Sequence, residues 1–200
     1  MYIQWEINIL KLIFDHFGIL APFYERFIPP TVPDKLLALA NLPASGIVLD
    51  AGGGTGRVAQ FLHGKAAQIV VADQSFKMLR EVGKKVGLRP ICSLTERMPF
   101  RDNVFARIIM VDAFHHVGDQ FQTVEELWRI LAPTGRIVIE EPDINSFRIK
   151  MVAIGEKLAL MRSHFLSPPQ IPDLFHFPNA RVQIQTDGTN AWIIVEKEPG

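Results

Sequence analysis

Residues 48 to 56 read VLDAGGGTG, which places a carboxylate, Asp50, two positions ahead of three alternating glycines, Gly52, Gly54 and Gly56. Glycines remove each Cβ that would hold a ligand off the backbone, so the stretch reads as a floor for a small molecule. A dinucleotide loop spaces its glycines G-x-G-x-x-G and brings a pyrophosphate to a helix N-terminus. Here the glycines fall at every second position, and the preceding acid would repel a pyrophosphate. The acid suits a ligand with positive charge and no phosphate, and S-adenosylmethionine carries both an ammonium and a sulfonium. The other role open to Asp50 is to accept N–H bonds from its own loop.

A second acid, Asp73, follows 23 residues later in VVADQSFKML. That is close to the ~20 residues that separate such a loop from a carboxylate accepting ribose hydroxyls. It implies adenosine, without separating a dinucleotide from S-adenosylmethionine; its alternative role is to cap a helix starting near Ser75. Gln74 and Met78 would lie beside the base, Met78 through its polarizable thioether, or as plain helix-face core. VDAFHHVGD then sets His115 and His116 just past Asp112. An imidazole there can take a proton from a phenol, bind an acceptor oxygen, or only line the pocket. Glu140, Glu141 and Asp143 follow the next apolar run as candidate substrate contacts, at least one of them reading as a loop or helix cap.

The elements that must carry these residues alternate. Ile47 to Leu49, Ile69 to Ala72, Pro90 to Ser93, Ala106 to Val111 and Arg136 to Glu140 read as short strands. Val58 to Leu62, Phe76 to Val86 and Val124 to Leu131 carry apolar residues at helical spacing, the second opened by Ser75 and closed near Gly87. Strand and helix repeated this way predict an open α/β sheet with parallel pairing, whose ligands sit at the carboxyl ends of the strands. RVQIQT, DG and TNAWIIVEK predict an antiparallel hairpin at one sheet edge.

Taken together, these stretches resemble the class I S-adenosylmethionine-dependent methyltransferases. VLDAGGGTG is similar to the family's first motif and VVADQSFKML to its second. TERMPFRDNVFARIIMVDAFHHVGD resembles the adenine-side loop and fourth strand, and ELWRILAPTGRIVIEEPD the next helix and fifth strand. The resemblance runs from about Ile47 to Asp143. The small-molecule branch containing ubiquinone and menaquinone C-methyltransferases is nearest, because FDHFGILAPFYERF resembles a segment near the start of those enzymes. The resemblance implies S-adenosyl-L-methionine as cofactor and a Rossmann-like, mostly parallel seven-stranded sheet of order 3-2-1-4-5-7-6, the last strand antiparallel. It also implies cofactor contacts from Asp50, Gly52, Gly54, Gly56, Asp73, Gln74, Met78, Thr95, Glu96 and Asp112, with His115 and His116 on the acceptor side. One departure stands out. The family often has G-D-A-E-x-L-P-F, and alignment on Pro99 and Phe100 puts Leu94 at the adenine-binding Asp and Thr95 at the Ala. The Thr95 backbone is then the remaining contact to the ring, and Glu96 keeps the family's acid, either solvated or bonded to a loop.

The bulk composition agrees. The chain has 200 residues, 48% of them hydrophobic, which suits one domain with one sizeable core. Lys plus Arg equals Asp plus Glu at 21 each, so no broad basic footprint points to nucleic acid. Cys92 is the only cysteine and belongs to no metal-ligand spacing, which fits a reducing, cytoplasmic setting and predicts no metal. Glu6, Lys11 and Asp15 interrupt the apolar start, which reads as neither a signal peptide nor a membrane span. The expected partner is a small-molecule acceptor, with peripheral membrane contact only if that acceptor is lipidic, in a monomer or homodimer. Residues 1–42, read as a helical cap, and 144–179, rich in aromatics and Met, are expected to form the acceptor pocket, with sheet packing, added core or a dimer surface as their other roles. Three other activities fit parts of the pattern. A nicotinamide-dependent oxidoreductase is opposed by Asp50 and the glycine spacing, and a non-catalytic S-adenosylmethionine-binding regulator would bind without turnover. A nucleic-acid or protein methyltransferase lacks the basic balance and an N/D-P-P-Y-type motif, where this chain has DAFH.

Overall fold

The computed structural model describes residues 33–142, 166, 170–187 and 190–200. Helix α1 (Pro33–Leu39) leads into β1 (Ile47–Ala51), and a single 3-10 turn (Ala59–Leu62) connects β1 to β2 (Gln68–Asp73). Then come α2 (Phe76–Val82), β3 (Leu88–Cys92), β4 (Phe105–Val111), a 3-10 turn (Phe114–His116), α3 (Gln120–Ile130) and β5 (Leu131–Pro142). A 3-10 turn (Pro172–Leu174) precedes the hairpin of β6 (Ala180–Thr186) and β7 (Asn190–Lys197). The seven strands form one sheet in the order β3-β2-β1-β4-β5-β7-β6, the order that the family resemblance implies. β1 to β5 pair in parallel, and β7 runs antiparallel to both β5 and β6.

Strand alternation sorts the apolar side chains onto two faces. Leu49, Ala51, Ile108, Met110, Ile137 and Ile139 pack with Val124, Leu127 and Ile130 of α3 on one face. Val48, Val71, Ile109, Val138 and Ile194 pack with Leu36 of α1 and Leu79 and Val82 of α2 on the other. Two elements are shorter or tighter than their apolar spacing predicts. The run from Val58 forms only the one 3-10 turn, since Lys65 N–H bonds back to Leu62 O and the chain turns into β2. α2 stops at Val82 because Gly83 closes it, its N–H reaching Leu79 O and Glu81 O; Gly87 serves the turn into β3. Ser75 caps α2 as expected, accepting the Met78 N–H. The cap predicted over 1–42 lies outside the described residues except for α1 and the turn after it, and the region 144–179 lies outside them up to residue 165 and at 167–169.

Candidate functional site

Strand order reverses between β1 and β4, so their carboxyl ends open the crevice where an open α/β sheet takes its ligand. The glycine loop fills one side of it. Gly52 and Gly53 N–H both bond to Ala72 O, at 2.8 and 3.2 Å, which ties the loop to the end of β2. Gly52 has φ +69°, and a Cβ there would lie 2.7 Å from the Ala113 Cβ, so the loop touches the turn after β4. Gly54 has φ +55° and no heavy atom within 4 Å of a Cβ built on it, which leaves its backbone as the open floor of the site. Gly56, by contrast, faces Leu88 and Val82 and serves packing.

Asp73 stands at the rim. Its carboxylate accepts Gly54 N–H at 2.9 Å and Ser75 N–H at 2.7 Å, so it shapes the loop and still carries further lone pairs for hydroxyl donors. Asp50 is placed differently. Alternation turns it onto the face of Val48, under the loop, where it is 1% exposed and a Cβ on Gly53 would sit 2.6 Å from its carboxyl. Burial pushes its pKa from 3.8 up to about 7, against the pull of the Arg57 guanidinium and the Ala59 N–H. Among the described residues its Oδ2 has no hydrogen-bond partner.

Arg57 escaped the sequence reading, although it directly follows the last loop glycine. It is buried, faces Asp50 electrostatically, and sets its Nη2 3.4 Å from Asp112 Oδ2. Asp112, at φ +51°, donates its N–H to Glu140 O at 3.0 Å, so one cation joins the β1 loop to the β4 turn.

The adenine-side loop is built around Glu96. Its Oε1 accepts Gly118 and Asp119 N–H at 2.7 and 3.1 Å, so this acid bonds a loop. Thr95 is buried against Thr123, with 3.4 Å between hydroxyls, while Leu94 is exposed. Gln74 is exposed, and Met78 is buried but outside both core clusters. A surface groove of about 530 Å³ lies elsewhere, against α3 between Glu96, Glu125, Trp128 and Phe177. Within it Arg129 and Glu126 hold the loop before β4, Arg129 bonding Glu126, Asp102 and Phe100 O.

His115 and His116 follow β4 with ring centroids 3.9 Å apart. His115 is 3% exposed, and its Nδ1 lies 2.6 Å from Glu141 Oε2. Burial and the neighbouring His115 push His116 down to about 3, which keeps it neutral. The acids of EEPD part company. Glu140 bonds Asn190 Nδ2 at 2.6 Å, Glu141 meets the histidine turn, and Asp143 lies outside the described residues. Among the described residues no cluster of His, Cys, Asp or Glu could hold a metal, and no helix is long and apolar enough to cross a membrane.

A sheet in this order, with a glycine loop at its switch point, is the Rossmann-like arrangement that the resemblance to the class I methyltransferases implies. Residues 49–139, just under half of the chain, match the family model described as Methyltransferase domain. Over 109 residues it is 33% identical to the ubiquinone/menaquinone biosynthesis C-methyltransferase UbiE of Desulfotalea psychrophila, covering 52% of this chain and 44% of that protein. It is 32% identical to the demethylmenaquinone methyltransferase of Deinococcus radiodurans over 111 residues, covering 52% and 45%. The matched stretch is thus less than half the length of either relative. In structure it resembles the YcgJ protein of Bacillus subtilis, with a TM-score of 0.71 at 16% identity, over 84% of this chain and 98% of that one. Family and fold imply S-adenosylmethionine as the cofactor, and the open floor at Gly54 with the Asp73 carboxylate beside it fits that molecule.

Proposed function

We propose that this protein transfers a methyl group from S-adenosylmethionine to a small apolar or aromatic acceptor bearing an ionisable hydroxyl, of the reduced-quinone class. The observation that carries the cofactor half is the Gly54 floor beside Asp73, which offers backbone contact and a ribose-binding carboxylate without a phosphate site. The acceptor half is supported by the quinone-pathway names of the two relatives. When bound, the cofactor supplies a methyl group activated by a sulfonium. The chain's own tasks are to hold it on residues 52–56 and Asp73, orient the acceptor, and take a proton if the acceptor must lose one.

For that last task we favour His115. A base works best with a pKa near the working pH, and His116, held near 3, is poorly matched. His115 is instead backed by a carboxylate. His116, Gln74, Met78, Thr95 and Asp112 then act as walls or supports of the crevice. Residues 1–42 and 144–179 are the segments proposed to supply the acceptor pocket.

Calorimetry with S-adenosylmethionine, followed by incubation with methyl-labelled cofactor and a quinol-containing extract, tests the reading. The expected result is binding and a labelled quinol; a folded protein that binds no S-adenosylmethionine refutes it. Binding with no labelled product from any extract would favour a non-catalytic binding protein.

A further inference from the structure

We propose that Glu141 is the positioning residue for the acceptor-side base: its carboxylate fixes His115 as the Nδ1–H tautomer and so makes Nε2 the proton-accepting atom of the ring. The proposal rests on the reading above, in which an acceptor hydroxyl is deprotonated in this crevice.

The geometry is a buried two-point anchor. Glu141 Oε2 lies 2.6 Å from His115 Nδ1, while Oε1 accepts the Phe114 N–H at 2.9 Å. The backbone bond fixes the carboxylate to the turn that carries the ring, so neither partner swings alone. When Glu141 is ionised its carboxylate only accepts, so the hydrogen between the pair then belongs to Nδ1. Burial, the largest influence, raises the Glu141 pKa above the usual carboxylate range, while the His115 ring and the Phe114 N–H pull it back down. Asp112 adds a repulsion, answered by its own ion pair with Arg57. His116 stays neutral beside the pair and brings no competing cation.

Only one acid of the tandem can do this. Along β5, Glu141 follows Ile137 and Ile139 onto the face that holds Phe114, whereas Glu140 shares the face of Val138 and bonds Asn190. The pair also sits close to the cofactor loop, since Ala113, which Gly52 touches, is two residues before His115. In the proton step the acceptor O–H bond breaks, the proton bonds to Nε2, and the electron pair stays on the acceptor oxygen. The imidazolium that results is held by the Glu141 carboxylate, and returns its proton to water after turnover.

Nitrogen-15 spectra of the histidine rings in the full chain read the tautomer directly. The wild type is expected to show His115 protonated at Nδ1. Glu141→Gln preserves size, and with its carbonyl on the Phe114 N–H it turns an amide N–H toward Nδ1, which reverses the tautomer. The expected outcome is that reversal, cofactor affinity within about threefold of wild type, and turnover of 1,4-naphthohydroquinone lowered roughly 10²–10⁴-fold. Glu141→Asp, which keeps the charge, should recover part of the rate, and serves as the variant of record if the Gln protein does not fold. A wild-type ring protonated only at Nε2 overturns the proposal. So does a Gln variant with a reversed ring and undiminished turnover. If the wild type binds the cofactor but methylates no naphthohydroquinone, the acceptor class fails, and the ring spectra still decide whether Glu141 sets the tautomer. Absence of cofactor binding fails the functional reading itself.

Discussion

Replacing Asp50 by Asn should stabilise the protein at alkaline pH and leave it almost unchanged in acid. Asp50 is 1% exposed, and its pKa rises from 3.8 to about 7 in the folded chain, chiefly through burial. Between those values the folded state holds a proton that the unfolded state has lost. Stability therefore falls as pH climbs from about 4 to about 7 and levels off above. The separation corresponds to about 4 kcal/mol at full effect, at roughly 1.4 kcal/mol per pH unit. Asn keeps an oxygen for the Ala59 N–H and has no charge to bury, and Arg57 retains Asp112. Urea unfolding should show the variant ahead by about 1 kcal/mol at pH 4.5 and by about 4 kcal/mol at pH 8. A variant less stable than wild type at pH 8 would mean that the Arg57 attraction outweighs burial, and a difference independent of pH would refute the linkage. Because Asp50 lies beneath the loop, S-adenosylmethionine affinity should stay within about threefold; a tenfold loss, about 1.4 kcal/mol, would place the carboxylate in contact with the ligand's positive charge.

Gly54→Ala should fold, at a cost of about 1–2 kcal/mol for a Cβ at positive φ, yet lose at least tenfold in cofactor affinity by calorimetry. Unchanged affinity would remove Gly54 from the floor. Asp73→Asn keeps an acceptor for one loop N–H but weakens each charge-assisted bond, worth roughly 1.5–3 kcal/mol; a change below threefold in affinity would take the ribose role from Asp73. Arg57→Met leaves Asp50 and Asp112 without the cation they share and should cost roughly 3–5 kcal/mol above pH 7 in denaturant unfolding. Asp50 becomes neutral at lower pH, so the cost should shrink there, and equal losses at pH 5 and pH 8 would contradict it.

The sheet was legible because its strands carry their own evidence. VVAD and FARIIMV are apolar runs of strand length, and the hairpin announces itself by alternation around Asp187 and Gly188. Local rules also read the Ser75 cap, since a hydroxyl at that position needs only a neighbour three residues on. They failed where a contact distant in sequence decides. Arg57 looks like an ordinary first-turn cation until β4 brings Asp112 beside it, 55 residues away. Asp50 offers two roles in sequence, and only the strand's alternation decides that its side chain lies under the loop. Glu140 and Glu141 read as one acidic set because sequence shows adjacency, whereas a strand's pleat sends neighbours to opposite faces.

The same geometry says where the rest of the chain joins the site. β5 ends at Pro142, at the carboxyl end of the sheet, and its antiparallel partner β7 begins there with Asn190. Asp187, just before β7, accepts the Trp192 indole N–H and pairs with Lys35 at 2.8 Å in the first turn of α1. The other end of α1 is held by arginines from the opposite end of the sheet, Arg136 donating to Leu39 O and Arg107 to Ala40 O. α1 therefore runs down the face from the crevice end, and the chain before Pro33 meets the domain at the same end as the chain after Pro142. A pocket for an apolar acceptor needs walls beyond the cofactor loop, and both stretches proposed to supply them are tethered beside it.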